Sequence, residues 1–483
     1  MFRNKIYPYL CILAATIAVA GCKVPAVTQR EANNATPAGF DANANSTGVP
    51  DTVNTALVHW RDFFTDKHLA DLIDTALKNN QELNITLQEI EIARNEARAK
   101  KGALLPGVEL KGGAGVDKVG RYTSQGAGDA STEITPGKEM PDPLGDFNIA
   151  AYAHWEVDIW NKLHNAQQAA ITRYLATVEG KNFVLTNLIA EVANAYYELL
   201  ALDNKLAIVK QNVALQKNAL EIVKVQKQAA RANELAVQKF QAELQNSQSL
   251  EYGIQQDIKE TQNRINLLLG RYPKEISRSS ESFFTEKLAA VHTGIPSQLL
   301  ANRPDIKQAE LELAASKLDV KVARKEFYPS FDIAAAIGFD AFKPSYLVKL
   351  PESLLYSLAG DLAGPLINRN AIKAAYNSAN ARQLQAIYNY EKSILSAYLE
   401  VANQLSNISN LQKSYELKQQ QVDALTQSVA VSNDLYKAAR ADYLEVLMTQ
   451  RDALEAKLEL TEARKQQFSA VVNMYKDLGG GWK

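Results

Sequence analysis

Phe147-Asn148-Ile149-Ala150-Ala151-Tyr152-Ala153-His154-Trp155-Glu156-Val157-Asp158-Ile159 alternates two series of side chains at period two. Phe147, Ile149, Ala151, Ala153, Trp155, Val157 and Ile159 fall on one face, and Asn148, Ala150, Tyr152, His154, Glu156 and Asp158 on the other. Phe331, Ile333, Ala335, Ile337 and Phe339 alternate in the same way with Asp332, Ala334, Ala336, Gly338 and Asp340. Each run has the length and pattern of a strand with lipid on one side and water on the other. Val108 to Val119 and Leu354 to Leu362 are weaker partners, which predicts two hairpins. The Gly-rich segment 120–146 and the Pro-containing segment 343–353 would be their loops. Two amphipathic hairpins on a soluble core would produce the same pattern. Four strands cannot close a barrel, since the smallest contain about eight. If these strands face lipid, several copies of the chain must share one barrel.

Working outward from that stretch, the chain repeats itself. Ala103-Leu104-Leu105-Pro106 and Glu326-Phe327-Tyr328-Pro329 lie 223 residues apart. Asp158-Ile159-Trp160-Asn161-Lys162 and Pro365-Leu366-Ile367-Asn368-Arg369 lie 207 apart. Ala229-Ala230-Arg231-Ala232 and Ala438-Ala439-Arg440-Ala441 lie 209 apart, as do Leu269-Gly270 and Leu478-Gly479. Each copy runs short helix, proline, strand-like pair, then two very long helices. A duplicated unit of this kind builds a symmetric wall better than a catalytic cleft, and the chain reads as a conduit.

The helical segments are long. From Ala371 to Leu478 there is neither Gly nor Pro, and between Asn161 and Leu269 only Gly180 and Gly253 interrupt. Leu199, Leu206, Val213 and Leu220 recur every seven residues; Leu202, Val209 and Val223 hold the companion seam, with Gln216 as its one break. The Ala-Ala-Arg-Ala stretches predict tight turns between antiparallel helices, with Asn233 or Asp442 near the cap of the returning helix. A helix over 371–437 would be roughly 100 Å long at 1.5 Å per residue.

Arg3 and Lys5 precede an apolar stretch, Leu10 to Ala20, that is too short to span a bilayer comfortably. It runs into Val19-Ala20-Gly21-Cys22, the pattern of a bacterial lipoprotein signal in which Cys22 is acylated and becomes the new N-terminus. An ordinary secretory signal with an accidental cysteine is the alternative. The only other cysteine, Cys11, lies in the removed segment, so the mature chain is expected to hold no disulfide and no cysteine metal site. Acyl chains contribute about 0.8 kcal/mol per buried CH₂, enough for several on Cys22 to anchor the chain. Residues 23–53 are rich in Ala, Asn, Thr, Gly and Pro and read as a flexible tether. The first folded residues are expected near Trp60-Arg61-Asp62-Phe63-Phe64.

A formal charge of −1 over 483 residues gives no basic field for nucleic acid. The five histidines, His59, His68, His154, His164 and His292, are scattered without metal-ligand spacing. No nucleophile elbow, phosphate loop or dinucleotide fingerprint is present. The expectation is a non-enzyme with no cofactor and no metal.

Pro296-Ser297-Gln298-Leu299-Leu300-Ala301-Asn302-Arg303-Pro304-Asp305-Ile306 resembles the P-x-x-L-L-x-x-R-P-D-I signature of TolC-like outer-membrane factors. Tyr436-Lys437-Ala438-Ala439-Arg440-Ala441-Asp442-Tyr443-Leu444-Glu445-Val446-Leu447 resembles another stretch of that family, and the run from Trp60 to Asn80 looks like its first helix. The acylated N-terminus resembles the lipoprotein branch that serves resistance-nodulation-division efflux pumps. The resemblance implies a mainly α fold with a small membrane β-barrel contribution: a homotrimer with four transmembrane strands per chain over an α-barrel of long antiparallel helices. The expected layout is a signal peptide (1–21), an acylated tether (22–55), a first repeat (56–270), an equatorial segment (271–300) and a second repeat (301–483). Within it, strands are expected at about 107–119, 147–159, 330–342 and 354–363, and long helices at about 161–270 and 370–478. Twelve helices about 9 Å apart would enclose a lumen of about 24 Å.

The resemblance also implies partners: a periplasmic membrane-fusion adaptor, an inner-membrane pump and outer-membrane lipid. By position, Glu445 matches an acidic gate residue of the family, with Asp442 nearby, although Asp442 as a helix cap and Glu445 as a solvated residue is the competing reading. Met448 stands where some members carry a second gate acid. The family usually has Gly at the positions of Ala230 and Ala439. Arg231 and Arg440, with those two alanines, are the candidates for adaptor docking, and Pro106, Pro329, Gly364 and Pro365 for redirecting the chain at the strand–helix junctions. A passive exit duct for an efflux pump is the leading reading. A type I secretion duct, or a tethered coiled-coil lipoprotein with no pore, are the alternatives.

Overall fold

The computed structural model describes residues 24–40, 53–365, 367–438 and 440–483. Cys22 and Ala439 lie outside the described residues. The named helices are α1 (Lys67–Asn79), α2 (Gln81–Gly102), α3 (Lys162–Gln228), α4 (Glu234–Leu268), α5 (Pro304–Lys325), α6 (Asn370–Lys437) and α7 (Tyr443–Asp477). The strands are β1 (Gly107–Asp117), β2 (Leu144–Val157), β3 (Ser330–Ala341) and β4 (Leu354–Ala363). The duplication is plain in the lengths: α2 and α5 have 22 residues each, α3 and α6 have 67 and 68, and α4 and α7 have 35 each.

By contacts the chain divides into two compact units that cut across the duplication. One holds 91–175 and 311–387, with the described N-terminal residues 24–31. The other holds 32–90, 176–310 and 388–483. Each unit draws on both repeats, so neither repeat is a compact body by itself.

The first unit carries a four-stranded antiparallel sheet in the order β1-β2-β3-β4. Its register follows the alternation. Ile149 faces Phe339, Ala151 faces Ile337, Trp155 faces Ile333 and Val157 faces Phe331. On the opposite face, Asn148 meets Asp340 and Glu156 meets Asp332. A slip of one residue would put every apolar side chain on the wrong face, which is why this register is specified so strongly. The helices join the sheet at one end, where Gly107 pairs with His154, Val157 with Phe331 and Ser330 with Ala363. The connection between β1 and β2 is more ordered than a plain loop: it holds a helix, Ser124–Ser131, and a small ladder between Glu133–Thr135 and Lys138–Glu139.

The core of the second unit is aromatic. Phe63 stacks on Tyr475 at 4.1 Å and Tyr197 on Phe468 at 4.4 Å, with Phe283 and Tyr196 fully buried beside them. The Tyr196 hydroxyl donates to the Asp66 carboxylate (2.7 Å), which also caps α1. Residues 271–300 contribute Ile276 and Phe283 to this core.

The N-terminal segment differs from the expected free tether. The backbone N–H of Asn33 donates to Glu391, Phe40 stacks on Tyr398 at 5.6 Å, and the Tyr398 hydroxyl donates to the Gly39 carbonyl. Composition alone misses this, because each partner lies some 350 residues away along the chain. Regular structure also begins before Trp60, at the 3₁₀ turn Thr55–Leu57, where Asn54 bridges to Thr293.

Candidate functional site at the helical turns

Two turns reverse the long helices. After α3, the N–H of Arg231 bonds the Gln226 carbonyl (2.8 Å) and that of Ala230 the Lys227 carbonyl (3.0 Å). This is the paired closure that needs a left-handed residue at the end of a helix. Ala230 supplies it, with φ of +54°. Alanine therefore adopts here the geometry a glycine would, against its own preference. After α6, the N–H of Arg440 bonds the Leu435 carbonyl at the same spacing (2.8 Å).

The returning helices start differently. The Asn233 side chain accepts from the Ala236 N–H (2.9 Å) and caps α4. Glu234, in the first turn, is bonded by Lys227 and by the Gln238 amide, which hold its carboxyl below the ordinary range. Asp442 occupies the cap position of α7 but makes no side-chain cap bond. Its carboxylate is exposed, and so is that of Glu445 one turn on. The capping reading of Asp442 therefore fails on its side chain, while its backbone carbonyl still accepts from Glu445 (3.2 Å).

Glu445 sits opposite the packed side of α7. Val446 and Leu447 are buried, and Leu447 joins Leu220, Val223, Ala236, Val237, Phe240 and Leu244. Met448 is exposed beside Glu445. Arg231 and Arg440 are exposed and make no ion pair among the described residues. A polar contact between the two hairpins has no sequence signal: the Tyr436 hydroxyl, on α6, donates to the Gln226 side chain, on α3. Burial and the charge of Asp442 push the Tyr436 phenol above its ordinary value.

The strand–helix junctions form a second constellation. Trp160 Nε1 donates to the Pro329 carbonyl (2.7 Å), and Trp155 Nε1 to the Leu104 carbonyl (3.1 Å). Lys162 pairs with Glu156 (2.5 Å) and Glu326 (3.7 Å). Asn161 and Asn368, equivalent in the two repeats, are both left-handed, at φ of +57° and +54°. Pro106 sits between α2 and β1, Pro329 between α5 and β3, and Gly364-Pro365 between β4 and α6, where a Cβ on Gly364 would lie 3.2 Å from the Pro329 Cβ.

Among the described residues no helix is long and apolar enough to cross a membrane. The sheet, by contrast, leaves one apolar face open: Leu110, Tyr356, Leu358 and Leu362 are each at least 70% exposed. Its outer strands, β1 and β4, each pair on one side only within the described chain. A model of the family described as outer membrane efflux protein matches residues 72–271 and 295–480. The chain belongs to the outer membrane efflux protein family.

This efflux protein is 27% identical to the pyoverdine export outer membrane protein OpmQ of Pseudomonas putida, over 98% of both chains. It is also 27% identical to the cation efflux system protein CusC of Escherichia coli, over 99% of both. Its fold matches the open state of the MtrE outer membrane channel of Neisseria gonorrhoeae with a TM-score of 0.79 at 23% identity, covering 95% of this chain and 98% of that one. The chain is thus an outer-membrane channel component of an efflux system, and its family is one of transport proteins rather than an enzyme class.

Proposed function

We propose that three copies close the sheet into a twelve-stranded barrel and the long helices into a duct, through which substrate passes passively. The observation that carries this reading is a lipid-compatible sheet with two open edges in a family of outer-membrane channels. Strands alternate in direction across β1 to β4, so β4 of one copy and β1 of the next run antiparallel, and any whole number of copies closes without a parallel pair. An acylated Cys22 adds a lipid anchor. Pro106, Pro329, Gly364 and Pro365 redirect the chain where strands give way to helices.

A periplasmic adaptor docks at the turns, on Arg231 and Arg440 with Ala230 and Ala439, and an inner-membrane pump supplies the energy. The duct itself performs no catalysis. OpmQ and CusC are named for different cargoes, a pyoverdine and cations, which suits a duct that accepts what its partners deliver. Repeated around a threefold axis, Asp442 and Glu445 form carboxylate rings that favour cations.

The test is planar-bilayer recording of the purified full-length protein beside Asp442→Asn and Glu445→Gln. Wild type should show discrete, persistent, cation-preferring channels, and each variant a smaller preference. An unchanged preference would remove the gate assignment. No channel from any of the three would remove the duct.

A further inference from the structure

A hollow of about 290 Å³ lies in the second compact unit, between the helical turn Trp60–Phe63, the irregular run 286–292 and the faces of α3 and α7. Its walls follow from local rules. Phe468, Val471 and Val472 recur at i, i+3 and i+4 on α7, so they share one face of that helix. Tyr197 comes from α3 and stacks on Phe468 at 4.4 Å. Phe63 and Phe64 meet edge to face at 4.9 Å. On another side Thr55 and His292 close on each other: the Thr55 N–H donates to the His292 carbonyl (2.9 Å), and the His292 N–H to the Thr55 hydroxyl (2.7 Å). An apolar, aromatic hollow with a few convergent polar groups is the usual form of a small-molecule site.

One carboxylate in it is out of balance. Glu286 lines the hollow and is half-buried, yet its side chain makes neither an ion pair nor a hydrogen bond among the described residues. The buried cation beside it is engaged elsewhere. Arg464 donates to the backbone carbonyls of Phe283 (3.2 Å) and Glu286 and to the Gln467 side chain (3.0 Å), not to the Glu286 carboxylate. Burial, then the negative charge of Asp66, push the Glu286 carboxyl above the ordinary range, and Arg464 only partly offsets them. Asp66 is itself satisfied, accepting from the Tyr196 hydroxyl and from the first turn of α1. At the rim Asp62 is exposed, and its neighbour Arg61 pairs with Asp74 instead. Lys287 also lines the hollow, but it is exposed and pairs with neither carboxylate among the described residues.

We infer that this hollow binds a small organic cation: an ammonium group against Glu286, carried on an apolar body that packs on Tyr197 and Phe468. The chemistry selects that class over its rivals. A bare divalent metal takes six or more oxygen ligands, and no metal-binding cluster exists among the described residues. A neutral apolar molecule would bury the carboxylate further without pairing it, and an organic anion would be repelled by it. An ammonium satisfies the carboxylate through a charge-assisted hydrogen bond, and the faces of Tyr197 and Phe468 favour a cation as well. The volume, at the small end of the usual range for ligand sites, suits one ring with a short arm.

The probe is benzylammonium, titrated calorimetrically into the full-length protein in detergent, beside uncharged benzyl alcohol and anionic benzoate. Wild type should bind benzylammonium saturably at one site per chain, and the other two at least about tenfold more weakly. Glu286→Gln should weaken benzylammonium to the level of benzyl alcohol. Ala289, which lines the hollow and is partly buried, offers a second variant: Ala289→Phe places a ring in the space and should abolish binding. The helical circular dichroism signal of each variant checks that it is folded. Benzylammonium binding that Glu286→Gln leaves unchanged would overturn the role of the carboxylate. Equal affinity for benzyl alcohol would overturn the cation class. No saturable binding by wild type, or binding that survives Ala289→Phe, would overturn the site.

Discussion

The two repeats have nearly identical lengths and opposite habits at equivalent positions. Asn80 and Arg303, 223 residues apart, both reach the last carbonyl of the returning helix: Asn80 Nδ2 donates to Leu268 (2.9 Å) and Arg303 Nη1 to Asp477 (2.9 Å). The oxygen of the same amide accepts from the Leu83 N–H (2.9 Å), and no charge is involved. The guanidinium also binds Asp305 through two nitrogens (3.0 and 2.7 Å) and Glu400 (2.6 Å). Burial opposes its charge, but Asp305 and Glu400 outweigh burial and hold it above the ordinary guanidinium value. Beside each of these positions a left-handed glycine follows the returning helix. A Cβ on Gly270 would lie 2.3 Å from the Asn79 carbonyl, and one on Gly479 would lie 2.5 Å from that of Asn302. The backbone plan is thus shared, while the side chains divide the work: the first repeat is locally satisfied and the second carries the charge. The turns repeat the contrast, with Asn233 bound to its helix and Asp442 unbound.

The largest expected effect follows from that division. Arg303→Ala strands the carboxylates of Asp305 and Glu400 and should destabilise the protein by about 3 kcal/mol, the low end for a broken buried pair because Glu400 is half exposed. Asn80→Ala should cost about 1 to 2 kcal/mol. Denaturant midpoints of the helical circular dichroism signal check both, and equal losses would break the contrast.

Next in size is Gln216, the break in the seam of α3. It is fully buried, and neither side-chain amide atom has a partner among the described residues. Gln216→Leu should stabilise the protein by about 1 to 3 kcal/mol, since an unsatisfied buried amide is replaced by an apolar side chain of similar size. A loss of stability would show that the amide is satisfied in the assembled protein.

At the turns, Asn233→Ala should cost about 1 kcal/mol, whereas Asp442→Ala should change stability by less than about 0.5 kcal/mol. If both cost the same, Asp442 is a cap after all. A small gain is expected at Ala230. Ala230→Gly relieves the left-handed strain but adds chain entropy to the unfolded state, for a net gain of about 0.5 to 1 kcal/mol. A melting curve of the variant checks the sign.

Much of the fold was legible because it rests on local periodicity. The alternation from Phe147 to Val157 specified the two sheet faces but not which residues pair across strands, and the prolines at 106 and 329 marked where helix yields to strand. The heptads marked the seam of α3, and the recurrence of Ala-Ala-Arg-Ala marked both turns. What stayed hidden depends on partners far apart in sequence. Tyr436 gives no sign that it reaches Gln226, and Phe40 none that it stacks on Tyr398. The left-handed turn at Ala230 was obscured for a different reason: alanine is a poor signal for a conformation usually marked by glycine. Asp442 and Glu445 were legible as acids at a turn, but only the geometry shows that Asp442 leaves its helix uncapped.

The most direct measurement is the protein mass of the purified, detergent-solubilised particle by multi-angle light scattering with the detergent contribution subtracted. One chain of the full sequence is 53.2 kDa. A ring closed by the open edges of β1 and β4 at twelve strands gives three times the mass of the mature chain. A particle with the mass of one chain would contradict the claim that this sheet is completed by copies of itself.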